Sequence, residues 1–291
     1  MSNTPRQSHP SLASAQGLFE AIQAKGSFLC VGLDPDPAKI PDAFGHGVQG
    51  MEAFCHAIVE TTAPYAVAFK PNLAFFEQYG SQGWAALARV IQRMPEDVLC
   101  IADAKRGDIG NTATKYARAM YEGLGADAVT VAPYMGRDSV EPFTAFEGKW
   151  TILLALTSNP GAEDFEFHGE PPLFERVLAQ STAFSHAERL MYVVGATRPE
   201  VFQTIRKLVP EAFLLVPGVG AQGGTLEGVV THGMNRQCGL LVNSSRGILY
   251  AASKESSAKK AMEASAAAAK TLADAMRKSL ETHGMVAPET R

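Results

Sequence analysis

Residues 98–131 read VLCIADAKRGDIGNTATKYARAMYEGLGADAVTV, and this stretch decides the fold. It opens with a continuous apolar run, Val98–Ala102, and turns polar at once through Asp103, Lys105 and Asp108. A segment with apolar residues at three- and four-residue spacing follows, Asn111–Leu124, and then a second apolar run, Ala128–Val131. Continuous rather than alternating apolar runs suit parallel strands buried on both faces. The three- and four-residue spacing suits a helix with one apolar face.

The same unit recurs on both sides. Further runs are Phe28–Leu33, Tyr65–Phe69, Thr151–Leu156, Met191–Val194, Phe213–Val216 and Gly239–Val242, which brings the strands to eight. Helical spacing returns in Met51–Thr62, Trp84–Arg93, Pro171–Arg189 and Pro199–Val209. Eight strands alternating with helices predict an α/β fold, a single (β/α)8 TIM barrel. A doubly wound open sheet is the rival. The barrel suits 291 residues better, since such barrels take about 250 plus tails. The tail from Ser253 to Glu281 is rich in Ala and Lys, with apolar positions at Met262, Leu272, Met276 and Leu280, and reads as a closing amphipathic helix. Residues 1–10, MSNTPRQSHP, read as a flexible polar arm, and 11–291 as one catalytic domain without a linker.

Composition removes several function classes. With 26 Lys+Arg against 30 Asp+Glu the chain has a net charge of −4, against a nucleic-acid partner, which needs clustered excess cations. No apolar run nears the roughly 20 residues that cross a bilayer, and no N-terminal segment couples a basic region to an apolar stretch, so no signal peptide is expected. The four cysteines form no C-x-x-C pair, as expected of buried thiols in a cytoplasmic protein. The seven histidines are scattered, and no Cys/His cluster has metal spacing, so no metal site is expected.

Most of the unusual polar residues stand just after a strand. Asp34 follows the first, Lys70 the second, and Asp103, Lys105 and Asp108 the third. Ser158 and Asn159 follow the fifth, Gln222 the seventh, and Ser244, Ser245 and Arg246 the eighth. In a barrel these positions gather at the carboxyl-terminal rim, where active sites lie. Asp103 and Lys105 share a face of an extended segment, and opposite charges this close favour the charged form of each. At an effective dielectric near 20, such a pair at 4 Å gains about 4 kcal/mol before desolvation. A fixed, charged lysine suits proton donation better than Schiff-base chemistry.

Residues Gly218 to Gly223 match G-x-G-x-x-G, the dinucleotide fingerprint, but they lie in a late unit and lack the acidic residue expected roughly 20 positions on. A better reading takes Gly220, Gln222, Gly223 and Gly224 as close-approach backbone for an anion. Together with Ser245 and Arg246 they predict a phosphate site between the loops after the last two strands. The segment 157–172, TSNPGAEDFEFHGEPP, is long and polar and reads as a lid over the same rim.

The segment DAKRGDIGNT resembles the D-x-K-x-x-D-I signature of the orotidine 5′-phosphate decarboxylases. GLDPDP, FKPNLAFFEQYG, LTSNPGAEDF, PGVGAQGG and NSSRGILYA are similar to that family's other blocks, in the same order, over residues 28–252. The KPN-x-AFFE and DAKRGDIG forms resemble its longer subgroup. The resemblance implies conversion of orotidine 5′-phosphate to UMP and CO2 without a cofactor. It implies that Lys105 protonates C6, that Asp103 faces the substrate carboxylate and that Lys70 completes the charged chain. It implies that Asp108 and Thr112 serve the neighbouring subunit of a homodimer, that Asp34 binds ribose and that Ser158 reads the pyrimidine. Pro217, Gln222, Ser245 and Arg246 fall at the family's phosphate end. Two alternatives stay open. A magnesium-dependent 3-keto-gulonate 6-phosphate decarboxylase shares the D-x-K-x-x-D block but has an acid where this chain has Lys70. A Schiff-base aldolase would use a barrel-mouth lysine.

Overall fold

Each apolar run becomes a strand whose residues are almost all buried. In the computed structural model, which describes residues 6, 9–220 and 223–288, eight parallel strands close into a barrel in sequence order. They are β1 (Leu29–Leu33), β2 (Ala66–Pro71), β3 (Leu99–Arg106), β4 (Ala128–Val131), β5 (Trp150–Leu156), β6 (Leu190–Val194), β7 (Leu214–Pro217) and β8 (Leu240–Ser244). The barrel closes where Leu29, Cys30 and Val31 pair with Val242, Asn243 and Ser244. Phe28, Phe69 and Phe213 are fully buried, and truncating any of them to Ala would cost about 3–5 kcal/mol.

The helices longer than a single turn are α1 (Ala15–Lys25), α2 (Gly47–Thr62), α3 (Gly80–Gln92), α4 (Gly110–Arg118), α5 (Arg137–Thr144), α6 (Leu173–Ser181), α7 (Val201–Leu208), α8 (Leu226–Gly233) and α9 (Ala258–Thr282). Three of them, α1, α5 and α8, have no counterpart in the sequence reading. The last two have only eight residues each, and α5 contains Pro142. The single helix expected over Pro171–Arg189 is shorter. It ends at Ser181, and a separate turn forms at Ala187–Arg189.

Helix α9 packs on α2 and β1. Its buried seam is Ala261, Ser265, Ala269, Ala273, Met276 and Leu280. Small residues dominate that seam, which is why apolar spacing alone gave only its last two members. Its outer face carries i,i+4 ion pairs such as Lys270–Asp274, each worth a few tenths of a kcal/mol.

Of the expected polar arm 1–10, residues 1–5 and 7–8 lie outside the described residues. Arg6 is fixed: its guanidinium donates to Asp127 Oδ2 at 2.8 Å and to the carbonyls of Met94, Pro95 and Val98. Asp127, at the foot of β4, also accepts from Cys100 N at 2.8 Å. This buried pair ties the start of the chain across the amino-terminal end of the barrel.

Candidate active site

The strand ends at the opposite rim surround a cleft of about 490 Å³. Asp34, Lys70, Asp103, Pro217, Ser245 and Arg246 line it, six of the residues expected at the site. Lys105 joins them through Asp103. The Asp103 carboxylate is shared: Lys70 Nζ donates to Oδ2 at 2.6 Å and Lys105 Nζ to Oδ1 at 2.5 Å. Lys70 and Asp103 are 6% and 8% exposed, whereas the Lys105 side chain is half exposed at the mouth.

Burial alone would raise the Asp103 carboxyl, but the two ammonium groups overcome it and hold it well below the usual carboxylate range. Burial alone would lower Lys70, yet Asp103 and Asp34 outweigh it and keep the amine above its ordinary value. A lysine held charged in this way is no Schiff-base nucleophile. Cys30, beneath the cleft, is equally silent, because burial pushes its thiol up to about 12.

Local structure explains how charged groups come to crowd this rim. Strand β3 pairs with β4 through Ile101↔Ala128 and Ala102↔Val129, but next through Arg106↔Val131. Three residues, 103–105, therefore stand opposite the single Thr130, and the two surplus residues make the strand bulge, as strands often do beside active sites. Within the bulge Lys105 takes φ +47°, a region sparsely used by residues other than glycine. The Thr130 hydroxyl accepts from Ala104 N at 3.0 Å and Lys105 N at 2.9 Å, and donates to Asp103 Oδ1 at 3.1 Å.

The other walls are built by similar means. The Tyr250 hydroxyl donates to Asp34 O at 2.7 Å and accepts from Asp36 N at 2.6 Å, which pins the turn after β1. Asp34 Oδ1 is buried without a hydrogen-bond partner, an acceptor of the kind a ligand hydroxyl satisfies. Gly32 leaves room on the floor: a Cβ there would stand 1.9 Å from Ser245 Oγ and 3.0 Å from Asn243 Oδ1. Gly224 lets the loop after β7 lie against Ala196, whose carbonyl oxygen would be 2.8 Å from a Cβ.

The remaining expected residues lie elsewhere. Asp108 and Thr112 do not line the cleft; Thr112 is exposed on α4 and Asp108 accepts from Ile109 N at 2.8 Å. Ser158 is also outside the lining and packs against Gly195. Gln222 lies outside the described residues. The expected lid, 157–172, contains a single helical turn, Ala162–Phe165. Glu166 accepts from Thr157 N at 2.7 Å, and Arg198 pairs with Glu163 while stacking over Phe167.

Sequence reasoning missed Asn72 and Asn243, both on the cleft wall. Each stands at a strand end, in KPN and VNSS, where the rim argument could have found them. It also missed Thr130, hidden inside an apolar run, and Ala268, Thr271 and Leu272, which α9 contributes to the cleft.

The profile of the orotidine 5′-phosphate decarboxylase / HUMPS family matches residues 27–261. An orotidine 5′-phosphate decarboxylase of Bacteroides fragilis is 54% identical over 273 residues, covering 91% of this chain and 98% of that one. One of Phocaeicola vulgatus is 56% identical over 243 residues, covering 81% and 89%. The solved structure of Leishmania donovani OMP decarboxylase matches with a TM-score of 0.77 at 36% identity, covering 91% of this chain and 99% of that one.

Proposed function

This chain belongs to the orotidine 5′-phosphate decarboxylase / HUMPS family and converts orotidine 5′-phosphate to uridine 5′-phosphate and CO2 in pyrimidine synthesis, and we propose the following division of labour among its residues. Losing CO2 directly from a pyrimidine leaves a carbanion at C6 with little resonance relief. Lys105 stabilises that charge as a fixed ammonium and then gives C6 its proton. Asp103 faces the departing carboxylate, and Lys70 keeps Asp103 ionised. The observation that carries this reading is the Lys70–Asp103–Lys105 chain, whose first two members are buried in the wall of a cleft and whose third stands at its mouth.

Arg246, Ser245, Pro217 and Gln222 bind the phosphate, whose charge-assisted contacts supply energy for orienting the ring. Asp34 binds the ribose hydroxyls, supported by its unpartnered buried oxygen. Ser158 reads the pyrimidine edge, and the 157–172 segment closes over it.

Asp108 and Thr112 complete the site of a second copy in a homodimer. Support comes from their absence from their own cleft and from the side chains around them. Ile109, Tyr116, Tyr134 and Met135 are exposed, with Met135 bordering Gly107. Large apolar groups clustered on a surface mark an interface. The enzyme works in the cytoplasm, in keeping with four buried free thiols. Among the described residues no helix is long and apolar enough to cross a membrane.

The reaction needs no cofactor, because Lys70 puts a cation where the magnesium-dependent reading requires a metal ligand. Turnover of orotidine 5′-phosphate, followed by absorbance, should be undiminished after exhaustive chelation. Loss of activity that magnesium restores would contradict this and favour the metal-dependent alternative.

A further inference from the structure

We infer that Thr130 is a positioning residue for decarboxylation, acting through both Asp103 and Lys105. The inference rests on the roles proposed above for those two residues.

The bulge must satisfy its backbone polar groups outside the strand ladder. Its carbonyls are met from one side: Asp103 O accepts from Leu73 N at 3.2 Å, and Ala104 O from Arg106 Nη1 at 3.1 Å. Its two amides, Ala104 N and Lys105 N, have lost their places in the β3–β4 ladder. Thr130 Oγ1 takes both. A hydroxyl has two acceptor positions and one proton. Both acceptor positions are used on the amides, and the proton goes to Asp103 Oδ1. Thr130 is 1% exposed, so water does not compete for these bonds.

One oxygen therefore sets two things. It holds the backbone of Lys105 in its left-handed conformation, which persists only where surrounding bonds over-determine it. It also fixes the oxygen of Asp103 that Lys105 Nζ contacts. The ammonium and the carboxylate are aimed from a common point on β4, whose strand is buried along its whole length. Arg106, paired with Glu77, closes the bulge from the opposite side. Valine has nearly the same shape but no hydroxyl. It would strand two part-buried amides and release Asp103. Serine would keep all three bonds.

The test compares Thr130→Val and Thr130→Ser with wild type, using orotidine 5′-phosphate turnover and UMP binding. Thr130→Val should lower kcat by roughly 10- to 100-fold, as expected when a reacting group is misplaced. Its KM and its affinity for UMP should stay within about threefold, since the phosphate and ribose contacts are elsewhere. Thr130→Ser should restore kcat to within about threefold of wild type. Normal kcat in Thr130→Val, or equal damage in Thr130→Ser, would overturn the inference. So would a Thr130→Val that loses UMP affinity in step with kcat. If the Val variant does not fold, Thr130→Ala carries the same comparison, and failure of both to fold makes the hydroxyl a folding requirement and overturns the positioning role. Lys105→Ala measured alongside separates two failures. An active Lys105→Ala sinks the underlying reading; an inactive one beside a normal Thr130→Val sinks only the role of Thr130.

Discussion

Lys70 Nζ lies 2.6 Å from Asp103 Oδ2, and both groups are buried within the wall of the cleft. Without Lys70 the buried Asp103 carboxylate keeps only the half-exposed Lys105 and the Thr130 hydroxyl as partners, at a cost approaching the roughly 3–5 kcal/mol of a broken buried pair. Lys70→Met should therefore lower the unfolding free energy in urea by about that amount, as well as abolish most activity. A Lys70→Met as stable as wild type would show that Asp103 finds compensation elsewhere.

The pair also fixes how stability responds to pH. The folded Asp103 carboxyl is depressed, so its contribution is present above the unfolded value near ~3.9 and lost as pH falls through the lower folded value. The folded Lys70 amine is raised, so its contribution is present below ~10.4 and lost as pH rises through the folded value. Between about pH 5 and 9 neither titrates. The chemical shift of the Asp103 carboxyl carbon in the wild-type protein should therefore be flat across that window, measured by NMR at each pH. An inflection inside it would mean that the cluster does change charge there.

Arg246 is exposed and stands at the end of the cleft formed by the loops after β7 and β8. Arg246→Ala should remove a charge-assisted contact worth about 1.5–3 kcal/mol. KM for orotidine 5′-phosphate should rise accordingly, while turnover of the unphosphorylated nucleoside should hardly change. Equal damage to both substrates would place Arg246 away from the phosphate.

Gly32 is required by space. Gly32→Ala would put a methyl group 1.9 Å from Ser245 Oγ, so Ser245 and Asn243 must move. UMP affinity should drop at least tenfold, about 1.4 kcal/mol, by calorimetry. Unchanged affinity would show that these two side chains do not shape the bound nucleotide's pocket.

The barrel was legible because its strands are buried on both faces, so eight apolar runs stand out against polar turns, as in Phe28–Leu33 and Thr151–Leu156. The rim residues were legible for the same reason: Asp34, Lys70, Asp103 and Arg246 each break the pattern at a strand end. Thr130 was not, since a threonine inside AVTV is an ordinary β-former, and only the two surplus residues of β3 give its hydroxyl a task. Nor was the wall built by Ala268, Thr271 and Leu272, because it depends on where α9 docks, far along the chain. Arg6 escaped notice because its partner Asp127 is 121 positions away. The roles proposed for Asp108 and Thr112 came from the family resemblance, since no geometry within one copy could suggest them.

The division of Lys105 and Asp108 between two copies is tested most directly by mixing two inactive variants. Lys105→Ala should lose the proposed proton donor, a role worth about 10²–10⁴-fold, and Asp108→Ala should be severely impaired as well. When subunits exchange, a hybrid dimer has one site with both defects and one with wild-type Lys105 and wild-type Asp108. Random equal mixing makes half the dimers hybrids, so activity should return toward about a quarter of wild type. Exchange confirmed by mass with no return of activity would mean that both residues act within one subunit, and the shared site would be wrong.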